Sequence, residues 1–181
     1  VMQLDRYQAA VLAFLFDKLP VGDDVDSLEF ALSGDFSGKF RLAHSVIGSA
    51  RQGARVVFTL PTYSRSVFLA LTRARLYETA RLLANLEDYE RDSSIQLGLG
   101  EVVRTPEQIQ QGADMPYAVI LLRTATSLDF AKVPDSKCID DRQTLFFLAV
   151  PLTKDEWDLR KQCGHDALLE RFQEDGKELY F

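Results

Sequence analysis

Side chains able to carry chemistry are few in this sequence, and they are scattered. There are two histidines, His44 and His165, and two cysteines, Cys138 and Cys163. Nucleophilic catalysis needs a base held beside the nucleophile. His44 continues an alternating strand pattern and reads as a satisfied strand-end residue. His165 follows Gly164 at a predicted helix start, a place where polar residues commonly cap. Cys163 lies two positions before His165, which matches no nucleophile motif, and no G-x-S-x-G elbow occurs. Two histidines and two separated cysteines do not furnish a transition-metal site. Two glycine-bearing stretches look like phosphate loops and fail in detail. "GDFSGKF" (residues 34–40) has three residues between its glycines where a Walker A loop has four, and Phe40 stands where Ser or Thr would hold magnesium. "GLGE" (residues 98–101) lacks the third glycine of a dinucleotide fingerprint, Val103 occupying its place. The first reads as a hairpin turn.

Carboxylates are plentiful in the predicted loops, at Asp23, Asp24, Asp26, Asp129, Asp135, Asp140 and Asp141. A glycosidase or a nuclease draws on such groups, but loop charge without converging partners is ordinarily a solvated surface. No catalytic residue, cofactor or metal ligand is expected. The 181 residues carry a formal charge of −6 and are 46% hydrophobic, so a sizeable core is available. The acidic balance argues against nucleic acid, which needs a basic footprint, and Arg65, Arg73, Arg75 and Arg81 form no stripe on a helical projection. "AAVLAFLF" (residues 9–16) is too short to span a bilayer. A cytoplasmic protein with two free thiols and no membrane contact is expected. Val1 ahead of Met2 reads as an added residue, and the closing "ELYF" as native or partly such an addition.

The elements follow from periodicity. A helix is predicted over residues 5–19, ended by Pro20. The period then becomes two. Strands over residues 28–32 and 39–42 flank the turn formers of residues 33–38, and a third strand covers residues 55–61. Their alternation predicts a sheet covered on one face. Residues 64–85 read as the longest helix, though their apolar residues form no single stripe; the helix is either buried on several sides or breaks near residues 71–73. A short strand at residues 95–97 follows. Then comes a helix with Thr105 as N-cap, Pro106 at its first position, Gln108 closing a capping box and Gly112 past its end. "YAVILLR" (residues 117–123) and "LFFLAV" (residues 145–150) read as central strands, with an aperiodic loop over residues 124–143 between them. Pro151 ends the second of these strands. Thr153 and Glu156 form a capping box for a helix stopped near Gly164, and a last helix covers residues 166–175 with Leu168, Leu169 and Phe172 inward. The fold class is α+β, a mostly antiparallel mixed sheet with helices packed on it, in a single domain.

"FFLAVPLTKDEWDLRKQCGHDALLERFQEDG" (residues 146–176) resembles the C-terminal signature of the suppressor-of-fused family. An apolar strand ends in a Pro-Leu-Thr corner, followed by an acidic helix start, a glycine stop and a leucine-rich last helix. "VVFTLP", the helix over residues 67–86, "IQLGLGEVV" and "YAVILLR" fall in the family's order, so the resemblance is best over residues 55–178. One departure stands out. Many relatives have a Gly-His pair where this chain has Gly100-Glu101. The resemblance implies a non-enzymatic protein-binding module. Animal members clasp a peptide that adds to a sheet, and many bacterial members look like immunity proteins that neutralise a toxin. For this chain it implies a cytoplasmic immunity protein, monomeric alone, that forms a tight heterodimer with a toxin domain and buries on the order of 1,600 Å². The partner-binding candidates are Asp23, Asp24, Asp26, Asp135, Asp140 and Asp141, with Phe130 as an apolar anchor. The alternatives are a peptide-binding adaptor acting by β-strand addition and, more remotely, an enzyme with an unrecognised carboxylate site.

Overall fold

The computed structural model describes residues 3–32, 34–48, 53–110 and 114–181. Ser33 and Gly112, assigned above to a turn and a helix stop, lie outside the described residues. Helix α1 (Arg6–Lys18) opens on a capping box, Asp5 accepting from the Gln8 amide at 2.7 Å, and closes at Leu19 ahead of Pro20. The strands are β1 (Asp26–Phe30), β2 (Phe40–Val46), β3 (Arg55–Leu60), β4 (Ser66–Thr72), β5 (Val102–Arg104), β6 (Ala118–Arg123), β7 (Ser136–Ile139) and β8 (Arg142–Leu152). They form one mixed sheet in the order β1-β2-β3-β4-β8-β6-β5, with β7 also on β8. All pairings are antiparallel except β4 with β8. Leu145 of β8 pairs with Ser66 on one side and Ser136 on the other, so β7 and β6 lie end to end along the same edge of β8.

The sheet is covered on both faces, not one. Val56, Phe58 and Leu60 do share a face, packed with Val11 and Leu15 of α1 and with Leu168 and Phe172 of α6 (His165–Asp175). Val57, Phe40 and Leu42 turn to the opposite face and meet Leu82, Leu83 and Leu86 of α2 (Leu76–Ser93). Strand alternation looked one-sided because the second layer comes from distant sequence.

The predicted helix over residues 64–85 is a strand followed by a helix. All seven residues of β4 are buried between β3 and β8, and α2 begins only at Leu76. Burial on both faces of a central strand outweighs the helix propensity of Leu and Ala. The missing stripe was the trace of it. Residues 95–97 form no strand and lead through a turn at residues 99–100 into β5. Nor does Thr105 cap a helix: its hydroxyl is buried without a partner, and its amide extends the β5 ladder to the Tyr117 carbonyl at 3.0 Å. Only one turn, α3 (Glu107–Gln110), follows. The supposed loop over residues 124–143 holds α4 (Thr124–Ser127), β7 and the start of β8. Three of the four β7 residues are exposed, which leaves no apolar period to read.

Strand β8 runs through Pro151 to Leu152. Residues of an antiparallel strand direct both backbone groups to one neighbour, in alternation. Glu101 accepts from Leu121, and Thr105 donates to Tyr117. By this alternation Val119 faces Val103, so its pair with Pro151 is not hydrogen-bonded. The missing donor of Pro151 points toward β4, whose pairing with β8 has already ended at Leu148. The corner then closes as expected. Thr153 and Glu156 cap α5 (Lys154–Cys163), Gly164 stops it, and α6 ends on Gly176 in the left-handed region.

Candidate protein-binding surfaces

The acidic candidates fall into two groups at opposite ends of the sheet. Asp23, Asp24 and Asp26 lead into β1, where Asp26 pairs with His44 of β2. The Asp24 carbonyl accepts from Ser45 Oγ at 2.9 Å, and all three carboxylates are exposed. Asp140 and Asp141 form the turn between β7 and β8. Asp140 pairs with Arg6 of α1 at 2.9 Å, while Asp141 is exposed. Asp135 pairs with Arg123 at 3.6 Å, and its carbonyl accepts from the Phe146 amide. Following the registers from β1 to β8, the first group sits where β4 ends and the second where it begins. Seven residues at the strand rise separate them by roughly 20 Å along the strands, and the four steps from β1 to β8 add about 19 Å across them. Phe130 is half-buried against the core rather than standing free.

A further surface was not visible in the sequence. By the alternation described above, Val102 and Arg104 turn their backbone N–H and C=O groups away from β6, to the open edge of the sheet. A groove of about 740 Å³ runs beside them, between α2 (Leu82, Leu86, Tyr89) and α5 (Trp157, Arg160, Lys161). Tyr89 is exposed although large and apolar in its ring. On the α5 side Trp157 meets Tyr117 edge-on at 5.7 Å, and Arg104 lies over Tyr117 at 4.9 Å. Arg160 braces the strand's approach by donating to the Gly100 carbonyl at 3.2 Å. Gly100, at φ +77°, lies against the His165 ring: an added Cβ would meet Cε1 at 3.3 Å. Three-residue strands rarely announce themselves, and nothing in "VVR" reveals which neighbour is missing.

Titratable groups inside the molecule are held by burial. His44 lies below its ordinary pKa because it is buried and Arg55 stands beside it, the two nitrogens 3.2 Å apart. Burial raises Tyr7, whose hydroxyl is 2.6 Å from Thr144 Oγ1. Burial also pushes Glu87 up to about 7 against two backbone hydrogen bonds that favour its charge. Both cysteines are free and exposed. Among the described residues no helix is long and apolar enough to cross a membrane, and no cluster of metal-ligating side chains occurs.

A two-faced mixed sheet with an unpaired edge beside a groove defines a fold suited to holding another polypeptide. The family model of the suppressor of fused protein (SUFU) matches residues 44–181. The chain belongs to the suppressor of fused family, whose domain is a protein-interaction module. The match runs through Phe181, so the closing "ELYF" lies within the family region. Among solved structures, a SUFU homolog from Neisseria gonorrhoeae is similar with a TM-score of 0.72 and 15% identity, over 97% of this chain and 93% of that one. It shows the same fold. A Sufu–Fu complex is more distant, with a TM-score of 0.48 and 9% identity over 85% of this chain and 70% of that one. No curated protein matches the sequence.

Proposed function

We propose that this chain is a non-enzymatic, cytoplasmic immunity protein that neutralises a cognate toxin by forming a tight complex with it. Residues 1–181 act in this reading as one suppressor-of-fused-like domain, because α1 and β1, ahead of the family match, pack into the same core and sheet. Family membership supports the protein-binding part, and likeness in fold to a bacterial homolog supports the bacterial setting. The observation that carries the reading is the exposure of Asp23, Asp24, Asp26 and Asp141 on a protein of charge −6, suited to a basic partner. Asp23, Asp24 and Asp26, or Asp135, Asp140 and Asp141 with Phe130, then contact the toxin.

The test is capture of the tagged chain from its host, followed by expression of the captured protein with and without it. One stoichiometric partner that arrests growth alone and is harmless when co-expressed is the expected result. A partner that is harmless by itself sinks the toxin assignment. The open edge of β5 favours a second reading, an adaptor that binds an extended segment by strand addition. An adaptor captures short linear peptides, whereas an immunity protein requires the folded toxin domain.

A further inference from the structure

The groove beside β5 is charged unequally on its two sides. On the α2 side Asp88 and Asp92 share Arg91 as a counter-ion, at 2.8 and 3.5 Å. Leu82, Leu86 and exposed Tyr89 supply the apolar surface of that wall. Three cations line the groove on the other side, Arg104, Arg160 and Lys161. Among the described residues none of the three has an ion-pair partner. Arg104 rests over the Tyr117 ring, Arg160 donates to the Gly100 carbonyl, and Lys161 lies 5.9 Å from the centre of the Trp157 ring. Rings and a carbonyl orient these cations without cancelling their charge. On a chain of charge −6 the cluster is a local exception.

Strand β5 fixes which side chains meet which wall. Successive residues of a strand face opposite sides of the sheet. Val102 and Arg104 face the α5 side, Val102 against the core layer of α1 and α6 and Arg104 over Tyr117. Val103 faces α2, in the layer of Leu82, Leu83 and Leu86. Directly opposed residues of neighbouring strands share a face. A strand bonded to the outward groups of Val102 and Arg104 therefore turns two side chains to the α5 side and the one between them to α2.

We propose that this groove selects an extended segment of a partner protein that reads acidic–apolar–acidic, with Asp or Glu outside and a large apolar residue between. The proposal rests on the strand-addition reading above and adds the chemistry of the occupant. The outer carboxylates, opposite Val102 and Arg104, meet Arg104, Arg160 and Lys161. The central side chain meets Leu82, Leu86 and Tyr89. Asp88 and Asp92 stand on the α2 side, and by the alternation of β5 so does Glu101, which accepts from the Gly98 amide. These three carboxylates repel an acid at the central position, so the charges of both walls demand the same alternation.

Fluorescence anisotropy with short labelled peptides on the full chain tests this. One peptide carries the core Glu-Leu-Glu between Gly-Ser flanks, a second Lys-Leu-Lys, and a third Glu-Glu-Leu, which has the composition of the first without its alternation. The first should bind about tenfold more tightly than either of the others at low salt, with the gap closing at high salt. Arg104→Glu and, separately, Lys161→Glu should each narrow the preference for Glu-Leu-Glu over Lys-Leu-Lys; both side chains are exposed, so one variant that fails to fold leaves the other. Val102→Pro should weaken the first peptide at least tenfold. Equal binding of all three peptides, each weakened by Val102→Pro, overturns the acidic selection and leaves strand addition standing. Tighter binding of Lys-Leu-Lys does the same. A preference for Glu-Leu-Glu that Val102→Pro leaves intact places the recognition elsewhere and overturns the inference. Binding of none of the three overturns it together with strand addition at β5.

Discussion

At the scale of single residues, the turn between β7 and β8 shows how function-like signals and backbone demands overlap. Asp140 and Asp141 both have positive φ, 47° and 60°, between the paired residues Ile139 and Arg142. A two-residue hairpin loop of this kind favours Asn-Gly or Asp-Gly, because side chains with a Cβ are disfavoured in the left-handed region. Asp140 gains an ion pair with Arg6, whereas exposed Asp141 gains no contact that explains its side chain. Asp141→Gly should therefore stabilise the protein by about 0.5–1 kcal/mol, read as a raised urea midpoint at unchanged slope. If it also weakens partner binding, the acidic side chain is kept at a cost in stability. From the sequence this pair was legible only as charge. The burial of Glu87 and Glu90 was not legible at all, because the predicted helix stopped at Asn85 and left both glutamates in a connection.

Elements with a local signature were readable. The apolar period of α1, the capping box of α5, the glycine stops and the strand β6 each follow from residues close in sequence. Strand β4 was not, since "SVFLALT" is strand only because β3 and β8 lie on either side of it. The same reasoning hid β5, whose importance lies in the neighbour it lacks. A prediction belongs here. The Val102 amide points to the open edge, so Val102→Pro removes no ladder bond, and proline is tolerated on edge strands. The variant should fold with nearly unchanged thermal stability. Under the adaptor reading it should lose at least tenfold in affinity for an extended segment, measured by fluorescence anisotropy with a peptide from the captured partner. Unchanged affinity removes strand addition at β5 from consideration and leaves the family assignment untouched.

For the whole molecule the decisive quantity is how charge is distributed over a body of −6. The two acidic turns lie roughly 20 Å apart along the strands and about as far again across them, which is more than two Debye lengths at 0.1 M salt. They act on an approaching partner independently, and a partner of standard interface size need not cover both. Two double reversals separate them, Asp23→Lys with Asp24→Lys at one end and Asp140→Lys with Asp141→Lys at the other. Exposed charges steer association more than they hold a formed complex. The reversal at the contacting end should therefore lower the association rate about tenfold at low salt, with a much smaller effect at high salt. The other reversal should change the rate by less than about twofold. Stopped-flow association with the captured partner at two salt concentrations reads this directly. Equal loss at both ends means that net charge alone does the steering and that neither turn is a contact. No loss at either end rejects these four aspartates as partner-binding residues and shifts attention to the groove beside β5, which Arg104, Arg160 and Lys161 line together with Asp88, Asp92 and Glu101.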